Sequence, residues 1–168
     1  MDILKTATIW KEAEMLSSAF FIVVGLCFIS ASLGFWQLGK TDVAKAYIIP
    51  TLGAGALLLI IGLGIFLPSQ ARATSFPAAD TTNASDFIAS EIASAERVLS
   101  EYRIAVFWII PLIIGVCALL ILYFQSPLWQ ASLITIIAMM VVVLTIDTNA
   151  NARLEAYKGQ LLLAKKQE

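Results

Sequence analysis

Histidine is absent from this sequence, and cysteine is limited to Cys27 and Cys117. With no histidine and no group of thiols and carboxylates at ligand spacing, the chain offers nothing to a transition metal or haem, and no cofactor is expected. Both cysteines fall near the middle of apolar stretches, where a thiolate is disfavoured. They read as small hydrophobes rather than as a disulfide or a reactive pair, and their similar depth allows the first and third spans to be neighbours. A phosphate-cradling loop, a nucleophile–base pair and a zinc-protease motif are missing too. Gly53, Gly55, Gly62 and Gly64 belong to apolar sequence without the strand–turn–helix context that a phosphate site needs. These absences point away from an enzyme. The net charge of −1, with acidic and basic residues interspersed, also excludes a broad basic surface for nucleic acid.

The most telling absence is that of charge over long distances. Met15 to Gly39, Ala46 to Ala71 and Ile104 to Ile146 contain no Asp, Glu, Lys or Arg. A bilayer core needs about 20 apolar residues per helix, so the first two stretches hold one span each and the third holds two. Gln125-Ser126-Pro127 divides that third stretch. The expected fold is all-α, a polytopic membrane four-helix bundle forming one domain, with spans at 16–37, 47–67, 104–124 and 128–146. Proton relays and pumps keep titratable side chains inside the membrane, and these spans carry none at mid-depth.

Cationic loops stay in the cytoplasm. One side of the membrane would carry Lys5, Lys11, Arg72, Arg97, Arg103, Arg153, Lys158, Lys165 and Lys166, and the other only Lys40 and Lys45. Both termini are therefore expected in the cytoplasm, which for a bacterial chain means the inner membrane. The first span reads as a retained helix rather than a cleaved leader. Asp2, Glu12 and Glu14 interrupt its basic flank, and Leu33, Phe35 and Trp36 continue the apolar run past Ser30-Ala31-Ser32. Trp10, Trp36, Tyr47, Trp108, Tyr123 and Trp129 fit aromatic belts at the two water interfaces.

Small residues supply the packing signal. Ser18, Gly25, Ser32 and Gly39 recur every seventh position in span one; Thr51, Gly55 and Gly62 line one side of span two, with Gly53 and Gly64 adding close-approach positions; Ala131, Ala138 and Thr145 repeat the spacing in span four. In lipid such stripes let helix backbones approach, either within this bundle or against another membrane helix. Pro50 and Pro68 bracket span two, Pro127 suits the first turn of span four, and Pro111 should kink span three.

Two segments outside the spans also read as helix. After a loop at 69–82, a helix can start at Asn83 or Ser85, with Asp86 favouring its positive end. Ile88, Ile92, Ala95, Leu99 and Tyr102 then form a stripe over 85–103, as Ala150, Leu154, Tyr157, Leu161 and Ala164 do over 147–165, where Gly159 weakens it. The short turn at 125–127 makes spans three and four antiparallel neighbours, so these cytoplasmic helical extensions start side by side; their mixed charges favour a protruding hairpin over the alternative, amphipathic helices lying on the membrane. At the base of the second, Asp147 and Arg153 are candidate polar contacts, with Asp147 facing Arg153 or Arg103 or lying in the headgroup zone.

Four spans, inside termini, charge-free spans, the small Lys40–Lys45 external loop and a length of 168 residues resemble the inner-membrane immunity proteins that protect bacteria from pore-forming toxins. The resemblance covers the architecture of the whole chain. It implies a non-enzymatic protein that meets a toxin's inserted helices laterally, with Ser18, Gly25, Ser32, Thr51, Gly55 and Gly62 as the contact face. Two other classes stay open, and a homo-oligomer is compatible with each. One is a small oligomeric channel or transporter using Ser30, Gln37, Thr51, Gln130 and Thr135; the other is a scaffold or accessory subunit that binds through the hairpin.

Overall fold

The computed structural model describes residues 3–75 and 84–165. In chain order these form α1 (Ile3–Leu38), α2 (Asp42–Ala46), α3 (Ile48–Ser75), α4 (Ala84–Ile104), a π-helical turn (Ala105–Ile109), α5 (Ile110–Tyr123) and α6 (Pro127–Lys165). Among the described residues there is no strand. Four helical stretches are long and apolar enough to cross a membrane, at Leu16–Leu38, Asp42–Leu67, Ala95–Tyr123 and Pro127–Leu163. The chain is a multi-pass helical membrane protein, and its helices outrun the spans that charge alone delimits. The 39 residues of α6 extend roughly 58 Å at about 1.5 Å per residue, nearly twice a hydrocarbon core of about 30 Å.

Several boundaries differ from expectation for identifiable reasons. The first span starts at Leu16 as expected, and α1 continues its helix back to Ile3 through the polar leading segment. α3 runs through Pro68 to Ser75, where a loop was expected from residue 69. A proline removes one backbone hydrogen bond, and a long transmembrane helix tolerates that loss. The rest of the expected loop, and Asn83 as its helix cap, lie outside the described residues. The external connection is not plain loop either. Thr41 caps α2, its Oγ1 accepting from the Ala44 N–H at 3.2 Å, and Asp42 complements the positive helix end. Pro127 opens α6 as expected, with Ser126 Oγ accepting from the Trp129 N–H. At Pro111, where a kink was expected, the helix changes its hydrogen-bond pattern. Lacking an N–H, the proline cannot serve the Phe107 carbonyl, and the preceding turn widens to a π-helix in which the Ile110 N–H reaches the Ala105 carbonyl.

α6 is the hub. It approaches α1, α2, α3, α4 and α5, whereas α1 packs most extensively on α3, and α5 packs on α6 without reaching α1 or α3. The four long helices thus do not close into a ring. Cys117 is buried on α5 and Cys27 is exposed on α1, so the neighbour relation suggested by their similar depth does not hold.

α4 pairs with the C-terminal half of α6. Ile92, Ala95, Leu154, Tyr157 and Leu161 form a buried cluster, with Val98, Leu99 and Tyr102 packed against it. These are the two apolar stripes read from sequence, now facing each other; the side chains of Ile88 and Ala164 lie outside the described set. Lys158 Nζ sits 2.8 Å from Glu96, and Arg103 sits 4.0 Å from Glu155. Exposed pairs contribute about 0–1 kcal/mol, so the apolar stripes rather than the charges hold this pair of helices together.

Candidate helix-contact site

The residues singled out on spans one and two come together, and they do so inside the protein. Ser18, Gly25, Ser32, Thr51, Gly55 and Gly62 are all buried, and the glycines among them face the partner helix. A Cβ on Gly55 would lie 2.8 Å from the Gly25 carbonyl oxygen and from Ile29 Cγ1. One on Gly25 would lie 3.0 Å from the Gly55 oxygen, and one on Gly62 2.8 Å from Ile22 Cγ1. Two backbones approach this closely only where both lack side chains, which is how helices gain dispersion contact in a solvent as apolar as themselves. Higher in the pair, Ser32 Oγ donates to the Ile48 carbonyl at 2.8 Å, while Thr51 Oγ1 donates to the Tyr47 carbonyl at 2.6 Å. Phe35 and Tyr47 stack beside them with ring centroids 5.3 Å apart. An outside helix reaches these six residues only if α1 leaves α3. Gly39, the fourth member of the heptad on α1, does another job. Its N–H closes the helix onto the Phe35 carbonyl at 2.9 Å, and a Cβ there would meet that same oxygen.

Asp147 and Arg153 do not pair. Six residues of helix place them roughly 120° apart around α6. Arg153 donates to the Asn149 carbonyl at 3.2 Å and reaches across to Ser17 Oγ on α1, while Arg103 lies beside Glu155 instead. Asp147 is half-buried at the end of the fourth span. Ser17, buried and 136 positions away in sequence, was not among the expected contacts, and no local pattern marks it out.

What stays uncovered is more informative about contacts with other molecules. On α3, Gly53 and Gly64 have nothing within 4 Å of a Cβ. With exposed Leu57 and Ile60 between them, they follow a four–three–four spacing down one outward face. α6 has one exposed seam. Between Gln130 and Leu154 its exposed residues are Ile134, Ala138, Val141, Thr145, Thr148 and Ala152, plus Asn149 beside them, and everything else there is at least partly covered. The heptad seen in sequence splits here, because Ala131 is buried while Ala138 and Thr145 face outward. No protein-family profile matches this sequence, and neither the curated proteins nor the solved structures contain a match.

Proposed function

We propose that this chain is a bacterial inner-membrane protein, with both termini cytoplasmic, that neutralises a membrane-depolarising or pore-forming toxin by lateral contact with the toxin's inserted helices. One observation carries the reading. The spans hold no charge at mid-depth, and no more than 28% of any of them is buried inside the protein. Apolar, laterally available surface is thus what the molecule chiefly offers, and in lipid such surface recognises other helices through shape and close backbone approach. Because α1 and α3 already occupy Ser18, Gly25, Ser32, Thr51, Gly55 and Gly62 between them, the contact face belongs on the outside of α3. There Gly53, Leu57, Ile60 and Gly64 present one uncovered face, with small residues at its two ends, to a foreign helix.

Two measurements test this. In cells challenged with a panel of membrane-depolarising toxins, the chain should protect against one of them without changing resting conductance. Gly53→Leu with Gly64→Leu should remove that protection at unchanged abundance, since both positions are open and tolerate a side chain in the folded state. Selective ion flux through the purified protein in liposomes, with no toxin present, would sink the reading in favour of a channel. Orientation is tested separately by cysteine labelling of intact cells after replacement of Cys27 and Cys117. A probe outside the cell should modify position 42 and leave position 160 protected; the reverse pattern overturns the inside placement of the termini.

A further inference from the structure

We propose that Asp147 binds a proton and, once protonated, donates its O–H to the Val106 carbonyl, making a proton-dependent clasp between the fourth span and the π turn. Two deficits meet there. The first is on the turn. In an α-helix the Val106 carbonyl would accept from the Ile110 N–H, but that N–H is turned to Ala105. The donor that a π-helix would supply instead is one residue further on, at Pro111, which has no N–H. The main chain of the turn thus leaves the Val106 carbonyl without a donor, and the same proline takes from the Phe107 carbonyl its α-helical one. A carbonyl left so within a membrane costs free energy until another group serves it.

The second deficit is on α6. Asp147 is half-buried, and among the described residues it makes no hydrogen bond or ion pair. Packing aims it at the turn. Asp147 precedes Leu154 by one heptad, so the two side chains leave α6 about 20° apart, on the face that packs on α4. Opposite, the stripe of Ile92, Ala95, Leu99 and Tyr102 runs on to Val106, which is buried. Register agrees. The two helices are antiparallel, and eleven residues back along α6 from Lys158 to Asp147 match eleven residues forward from Glu96 to Phe107; eight residues from the Arg103–Glu155 pair end at Pro111. α6 approaches the π turn itself. No opposite charge competes for the carboxylate. Ala105–Tyr123, residues 16–38 of α1 and residues 48–67 of α3 carry no charged side chain. Arg153 reaches the other way to Ser17, Arg103 lies beside Glu155, and Asp42 and Lys45 of α2 belong to the far end of the span. The other titratable groups on the packed face are Tyr102 and Tyr157, in the cluster with Leu154. Asp147 can therefore answer the turn only as a donor, and a carboxyl has an O–H to give only when protonated. The proton comes from water at that face of the membrane. The clasp does not depend on the proposed toxin contact, which uses α3.

Infrared spectroscopy of the full chain in nanodiscs, titrated in pH, tests it together with the emission of Trp108, exposed on the turn, after Trp10, Trp36 and Trp129 are replaced by Phe. As pH falls, a protonated-carboxyl band should grow reversibly and the Trp108 emission should shift with the same midpoint. Asp147→Asn should remove that part of the band and, because its amide keeps a donor, hold the acid-form emission at every pH. Asp147→Ala, which has no donor, should hold the alkaline-form emission instead. Identical emission from the two variants, a pH response that survives in both, a carboxyl band untouched by either, or a shift driven by sodium at constant pH would each overturn the proposal.

Discussion

Gly55→Leu should prevent α1 and α3 from pairing, while Gly53→Ala, two residues away, should leave the protein as stable as before or more so. The difference lies in what each new Cβ meets. At position 55 it falls 2.8 Å from a backbone oxygen of Gly25 and 3.0 Å from the Ile29 nitrogen, whereas at position 53 it meets nothing within 4 Å. A backbone oxygen on a packed helix cannot step aside as a side-chain tip can. The Cβ alone therefore costs about 1–3 kcal/mol in overpacking, and the rest of a leucine forces the helices apart. Gly53→Ala gains up to about 1 kcal/mol of helix propensity. Unfolding in mixed micelles by stepwise addition of a denaturing detergent should show the ordering. Equal midpoints for the two variants would mean that the backbones do not approach here. The same contrast explains why a loss of toxin protection in Gly25→Leu or Gly55→Leu would say nothing about docking.

Leu161→Asp should release α4 from α6 without disturbing the membrane spans. Leu161 is 1% exposed at the centre of the cluster with Ile92, Ala95, Leu154 and Tyr157. Truncating such a leucine costs about 2–5 kcal/mol, and a carboxylate left there without a partner adds the cost of burying its charge. Amide hydrogen exchange should rise across 92–103 and 154–163 and remain slow in 16–38 and 48–67. Leu163→Asp, at 61% exposure, is the matched control and should leave exchange unchanged. If both variants exchange alike, the apolar stripes are not what joins these helices.

These two interfaces were legible in sequence to different degrees, and the solvent explains why. Where charged residues are interspersed, Ile92, Ala95, Leu154 and Leu161 stand out against neighbours such as Glu96 and Lys158, so periodicity names both the face and its partner. Within the bilayer the lipid-facing and helix-facing residues are equally apolar, and only size separates them. Size marked Gly25 and Gly55 as contact residues and could not say that they contact each other. It likewise grouped Ala131 with Ala138 although they face opposite surroundings. Charge-free length located all four spans, yet it could not extend α1 back to Ile3 or carry α3 past Pro68, because polar helix lacks that mark. Thr41-Asp42 carries the signature of a helix start, yet the Lys40–Lys45 connection was expected as a small external loop and α2 was missed. Arg153 and Ser17 meet only because α6 lies along α1, a relation no local pattern encodes.

The unbroken course of α6 has a mechanical consequence. No proline or π turn interrupts it after Pro127, whereas its neighbour is jointed at Ala105–Ile109 just where α4 passes into α5. One arm of the pair is a stiff lever and the other has an elbow. A stretch of 19 residues beyond Ile146 reaches about 28 Å, so a tilt of about 10°, well within the range by which transmembrane helices adjust to bilayer thickness, sweeps the far end sideways by roughly 5 Å. A tilt of the span would carry the cluster at Leu154, Tyr157 and Leu161 with it, and α4, packed on that cluster, would have to move as well.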